Sequence, residues 1–411
     1  MIILLYILAG FSSLGSFEDL GGTLNLLNSL NHLLYFDCSL LNMIMKSEQK
    51  IKLLILIPNL ECGGSEKYVS ILCDHVNTNK FDVTLAVLNN DSPFYPISNT
   101  AIDVVDLKIK RVRKSLFAIN KLIRKKQPDI VFTTSNHLNL YLAIYRWIFP
   151  KKMKMVARES SIVSINSDRV KFPKIYKWLV KKFYCRFDGI ICQSDYMQQD
   201  LTRNFNIPAN KTTVIHNAVE EARGHDLVVP GDEISSKIYK FITVARLSEE
   251  KGIDRLIKAV AGLSLPFQYH IIGEGDTRNF LQDLIDQLNL QDKVFLAGKK
   301  NSPYAGMEDA DLMLMGSHYE GFPNVLLEAG ILGIPVIAFD APGGIKEIII
   351  EGENGLLAND GDEKAFSAAI EKALQIKFDS NKIIAITKKR FSPDTIIARV
   401  EELLLSLCDQ H

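Results

Sequence analysis

The chain has 411 residues, 47% of them hydrophobic and 23% charged, which is the composition of an ordinary soluble globular protein too long for a single domain. Zero formal net charge hides an asymmetry: residues 46–220 carry 28 Lys and Arg against 15 Asp and Glu, and residues 221–411 carry 20 against 30. Six scattered cysteines form no close pair with each other or with histidine, which excludes a zinc finger or a disulfide framework and favours a reducing compartment.

In chain order, residues 1–45 contain no Lys or Arg. The opening MIILLYILAG lacks the charged start of a secretory signal and falls short of the roughly 20 residues of a membrane span. Residues 1–46 are therefore expected to be an extension outside the fold, a weak interfacial anchor being the alternative. From Lys52 short apolar runs (KLLILI, FDVTLAVL, IDVVDL, DIVFTT, KMVA, DGIICQS, TTVIHN) alternate with helical stretches. The helices are predicted from Ser65 to about Val76, over Lys114–Lys126, over Asn136–Ile148 and over Val170–Cys185. This pattern argues for a parallel sheet covered on both faces. It defines a first domain over 47–220, and the polar stretch 221–236 reads as a linker. A second series (YKFITVA, QYHIIG, KVFLA, DLMLMG, PVIAF) makes a second domain over 237–392, and 393–411 is an amphipathic terminal helix. The predicted fold class is α/β, two Rossmann-like doubly wound domains facing across a cleft, with ligands beyond the carboxyl ends of the strands.

Five loops carry residues suited to chemistry. ECGGSEKYV places Gly63 and Gly64 before a helix, where bare amides favour an anion, though a plain turn reads the same way. VARLSEEKG puts Arg246 at a strand end and Lys251 near a helix start, either to hold a diphosphate or to pair with Glu249 or Glu250. IIGEGD sets Gly273 and Gly275 on the same rim. YEGFPNVLLEAG puts Pro323 at a first helical position, so that the Asn324 and Val325 amides point outward. Glu320 precedes that helix and Glu328 lies within it, among apolar neighbours that imply burial. APGGIKE adds Gly343 and Gly344, which close approach to a ligand or a plain turn would equally explain, and Glu347 in a first helical turn, where an acid is favoured in any case. Asp309 and Asp311 resemble a metal–nucleotide motif but read better as polar lead-in residues of a strand. His137, past a strand end, is either a ligand-facing group or a helix-start residue. No dinucleotide fingerprint or P-loop is present.

In order, GGSEKYV, ARLSEEKG, IIGEG, EGFPNVLLEAGILGIPVIA and GGIKEIIIEGENGLL resemble the retaining nucleotide-sugar glycosyltransferases of family 4, which have the GT-B fold. The resemblance covers about residues 50–410. It implies that Arg246 and Lys251, helped by the Gly64 amide, neutralise the donor diphosphate of a UDP- or GDP-sugar. It also implies that Glu328 holds the ribose hydroxyls and that Glu320 contacts the transferred sugar, with the Phe322, Asn324 and Val325 amides assisting. His137 resembles a histidine approaching the donor from the first domain, and Arg158 is assigned to an acceptor-side or phosphate-side cation. The terminal helix from Pro393 to Cys408 resembles one that crosses back to the first domain. No metal or other cofactor is expected.

KIKRVRKSLFAINKLIRKK (108–126) and RVKFPKIYKWLVKKFYCRF (169–187) are basic, the second interleaved with aromatics. Such helices favour anionic membrane surfaces, and solvated helix faces are the alternative. The expected partners are a nucleotide-sugar donor, a glycan acceptor on a polyprenyl diphosphate and an anionic membrane, with no nucleic acid. The expected setting is bacterial cell-surface polysaccharide assembly, at the cytoplasmic face of the inner membrane. A sugar-nucleotide 2-epimerase, a phosphorylase and a non-catalytic sugar-nucleotide-binding protein are the competing readings.

Overall fold

The computed structural model describes residues 50–221, 237–300, 304 and 306–409. The predicted extension over 1–46 and all but Glu221 of the predicted linker lie outside the described residues. From Ile51 the described chain forms one compact unit that contains two parallel sheets.

The first half runs β1 (Ile51–Ile57), α1 (Gly64–His75), β2 (Phe81–Val87), β3 (Asp103–Asp106), α2 (Leu116–Lys126) and β4 (Ile130–Thr134). It continues with α3 (Asn136–Ile144), β5 (Lys154–Arg158), α4 (Val163–Asp168), α5 (Pro173–Phe183), β6 (Gly189–Cys192), α6 (Asp195–Phe205) and β7 (Thr212–Val214). The second half begins with β8 (Tyr239–Val244), α7 (Ile253–Ala261), β9 (Phe267–Ile272), α8 (Arg278–Gln287), β10 (Val294–Gly298) and β11 (Leu312–Met315). It ends with α9 (Asn324–Ile331), β12 (Val336–Phe339), α10 (Ile345–Ile348), β13 (Gly355–Ala358), α11 (Glu363–Gln375), α12 (Ser380–Phe391) and α13 (Pro393–Asp409).

The first sheet has the order β3-β2-β1-β4-β5-β6-β7 and the second β10-β9-β8-β11-β12-β13. Both are buried on two faces, which is why their strands read as unbroken apolar runs. In β1, Leu53, Ile55 and Ile57 pack on one side while Leu54 and Leu56 pack on the other. Strand order reverses between β1 and β4 and between β8 and β11. Ligands bind outside the carboxyl ends of strands at such switch points.

Three helices differ from expectation. The predicted Asn136–Ile148 helix ends at Ile144 and gives way to a 3-10 turn over Arg146–Ile148. The predicted Val170–Cys185 helix starts at Pro173, whose fixed backbone suits the first turn, and ends at Phe183. Pro323 stands just ahead of α9, with an extended backbone (φ −75°, ψ 111°), so Asn324 is the first helical residue. The terminal helix α13 inserts Ile396, Ile397, Val400 and Leu404 into the core of the first sheet. Its Glu401 accepts a 2.7 Å hydrogen bond from the Asn77 amide.

Candidate active site

The two switch points open onto one cavity of about 570 Å³. The first turn of α1 and the residue before it supply Gly63, Gly64, Ser65 and Glu66, and the segment after β8 supplies Arg246 and Lys251. The loop after β11 supplies Ser317, Glu320, Gly321, Phe322 and Pro323, with Asn324 and Val325 from the start of α9.

Lys251 ends a 3-10 turn, Glu249–Lys251, just ahead of α7. Its ammonium pairs at 2.6 Å with Glu320 across the cavity rather than with Glu249 or Glu250. Glu320 also accepts a 2.6 Å hydrogen bond from the Ser317 hydroxyl. Its backbone is clamped by the loop after β12, since Glu320 N donates to Pro342 O and Gly344 N donates to Glu320 O. Gly343 makes this possible: it sits at φ 125°, and a Cβ there would strike the Glu320 carbonyl. Arg246 lines the same cavity from an exposed position. Two cations and the unpaired amides at the start of α9 thus converge on one space, an arrangement that suits a diphosphate.

The wall from the first sheet is organised by Asn217. Its Nδ2 donates to Phe322 O at 3.0 Å and Asn324 Oδ1 at 2.6 Å, and its Oδ1 accepts from Arg158. Arg158 is fully buried, stacked 3.6 Å from the Tyr68 ring, and burial pushes its guanidinium down to about 10. Behind it, burial raises the Glu159 carboxyl to about 7, and Asn139 Nδ2 donates to that carboxyl at 2.8 Å. Phe322 is held by its stack on His216, ring centroids 4.7 Å apart, and His216 pairs with Glu347 at 3.1 Å.

Residues 62–223 match the family model for Glycosyltransferase Family 4, and residues 231–390 match that for Glycosyl transferases group 1. An N-acetylgalactosamine-N,N'-diacetylbacillosaminyl-diphospho-undecaprenol 4-alpha-N-acetylgalactosaminyltransferase from Campylobacter jejuni is 30% identical over 79% of this chain and 90% of its own. The chain belongs to the group 1, family 4 glycosyltransferases. Among solved structures, sucrose-phosphate synthase from Thermosynechococcus elongatus superposes with a TM-score of 0.73 at 18% identity, over 87% of this chain and 99% of that one. Anabaena HepE in complex with UDP-glucose gives 0.68 at 20%, over 87% and 100%. The fold of this glycosyltransferase is GT-B.

Of the residues singled out in the sequence, the glycosyltransferase brings Gly63, Gly64, Arg246, Lys251, Glu320, Phe322, Asn324 and Val325 to the cavity. Others stand elsewhere. Gly273, at φ 148°, and Gly275 let their turn pack against the backbone of 245–247, so they shape the Arg246 loop instead of lining the cavity. Arg158 is no surface cation; it lies beneath the cavity wall and acts through Asn217. His137 is exposed, its ring 6.4 Å from that of Tyr176 and outside the lining. Its neighbour Asn136 instead accepts from Ser160, a lining residue, at 3.2 Å. Glu328 is buried beside the cavity and paired with Lys67. Asp309 and Asp311 bind Lys240 and Lys237 at the start of their strand, as lead-in residues do. Asn217, Gln193 and Glu66 line the cavity without having been singled out. Glu66 had one signal, an acid in the first turn after the Gly-Gly pair, and burial raises its carboxyl.

Proposed function

We propose that this glycosyltransferase moves a sugar from a UDP- or GDP-sugar to a hydroxyl of a lipid-linked glycan, with retention at the anomeric carbon and without a metal. The observation that carries this is the convergence of Arg246, Lys251 and the α9 amides on the cavity that Glu320 shares. As the bond from the anomeric carbon to the diphosphate breaks, its electron pair goes to a diphosphate oxygen. Arg246, Lys251 and the amides stabilise the charge that develops there. The acceptor hydroxyl attacks from the same face and passes its proton to the departing diphosphate. Lys251 exchanges its Glu320 contact for phosphate, which frees Glu320 for the sugar hydroxyls.

The acceptor reading is supported by the name of the Campylobacter jejuni relative, which specifies a diphospho-undecaprenol-linked acceptor and an alpha linkage. It is supported also by α5 and the residues just before it, where Lys171, Lys174, Ile175, Trp178, Lys181 and Lys182 are all exposed. Their spacing puts them on one side of the helix, and Phe172 stands beside them. Phe117 and Trp147 add bulky exposed groups, 87% and 74% accessible. A basic helix with Trp and Phe at its surface suits the interface of an anionic bilayer. Among the described residues no helix is long and apolar enough to cross a membrane. The proposed location is therefore peripheral, on the cytoplasmic face of the inner membrane.

The test is transfer from radiolabelled nucleotide sugars to polyprenyl-diphosphate glycans in EDTA, with NMR of the new anomeric proton and flotation on neutral and anionic vesicles. Inversion, dependence on an added divalent cation, or flotation indifferent to anionic lipid would each remove the corresponding part of the proposal.

A further inference from the structure

Glu328 is 6% exposed, and an isolated carboxylate at that depth is costly. Its partner comes from the other sheet. Lys67 Nζ lies 2.5 Å from Glu328 Oε1, the two side chains 10% and 8% exposed. Lys67 sits on α1, three residues beyond Gly64, so one helix presents amides to the cavity and a cation to the carboxylate behind it. Only Oε1 is engaged by the lysine. Two aromatic residues stand close by: the Lys67 ammonium is 5.6 Å from the Tyr304 ring, and Glu328 helps burial raise the phenols of Tyr304 and Tyr95.

Breaking a buried pair on one side leaves the other group without its partner, so Glu328 depends on Lys67 to be held in place. A contact that only joined the two halves could use any pair of surfaces, whereas this one is made to the carboxylate that the family resemblance places at the ribose. We propose that Lys67 is a positioning residue for donor recognition. It neutralises and orients Glu328 across the cleft so that the free carboxylate oxygen accepts from the ribose hydroxyls. Nucleotide binding is thereby tied to the junction of the two sheets. This rests on the assignment of Glu328 to the ribose.

The experiment uses the full chain and two probe pairs, UDP with 2′-deoxy-UDP and GDP with 2′-deoxy-GDP, whose dissociation constants are measured by calorimetry. The wild type is expected to favour the ribonucleotide of the pair it binds. Glu328→Gln should abolish that preference, and Lys67→Met should reduce it by about 10-fold, the size of one charge-assisted hydrogen bond. Lys67→Arg should recover part of it, and donor KM should rise more than kcat falls. Lys67→Gln replaces Lys67→Met if the latter does not fold. Equal weakening of both members of a pair by the Lys67 variants, with the preference intact, would make Lys67 a strut and overturn the proposal. If the wild type shows no ribose preference, or if Glu328→Gln keeps it, the ribose assignment fails, and the proposal falls with it.

Discussion

The two walls of the cavity are built differently. The wall from the second sheet comes from two short runs of sequence, 243–251 and 313–325, and Lys251 of the first run pairs with Glu320 of the second. The wall from the first sheet has one contiguous piece, Cys62 to Glu66, and then single residues, Ser160, Gln193 and Asn217, just past the ends of separate strands. The second sheet thus holds its chemistry in short runs of sequence, and the first holds its share in topology. In the proposed mechanism the reactive charge belongs to the second wall, while the first wall holds the start of α9 through the contacts of Asn217 with Phe322 and Asn324.

Substitutions should rank accordingly. Arg246→Ala removes a cation from the cavity without breaking a buried contact. Steady-state assays should show kcat lowered by about 10²-fold, with the melting temperature unchanged. Asn217→Ala removes one of the acceptors of the buried Arg158 and frees the start of α9. A loss of about 10-fold in kcat/KM together with a lower melting temperature is expected. An effect on stability with full activity would separate the first wall from the chemistry and break the comparison.

Two smaller effects sharpen it. Glu159 is buried behind the first wall with its carboxyl raised to about 7, so the folded state holds its proton more tightly than the unfolded chain does. The stability this confers is fully present below the ordinary carboxyl value and fades as pH rises through about 7. Thermal melts from pH 5 to 8 should fall for the wild type and fall less for Glu159→Gln, by on the order of 2 kcal/mol across the range. His137→Ala, outside the cavity, should leave kcat within about twofold, a surface substitution clear of buried contacts. A large loss would mean that donor binding brings His137 inward.

The same contrast explains what the sequence made legible. The alternation of strands and helices gave the two sheets, because both sheets are buried on two faces and each strand reads as an apolar run. Arg246, Lys251 and Glu320 were legible because local motifs carry them into the loops at the switch point. Arg158 was not, because its place at the end of β5 resembles a cleft position while its side chain turns under the wall onto Tyr68. Glu328 could be seen to need a partner, but Lys67 lies 261 residues away and only the meeting of the two sheets selects it. Gly273 and Gly275 looked like ligand glycines, and the same lack of a side chain serves backbone packing against 245–247.

The central claim is that the charge expelling the diphosphate comes from the second wall, and Lys251→Ala tests it most directly. Sugar transfer at saturating donor should fall by about 10²–10³-fold while the melting temperature and far-ultraviolet circular dichroism stay those of the wild type. Turnover within about threefold of the wild type in a folded Lys251→Ala protein would contradict the account, since a group worth only that much cannot carry the leaving-group charge.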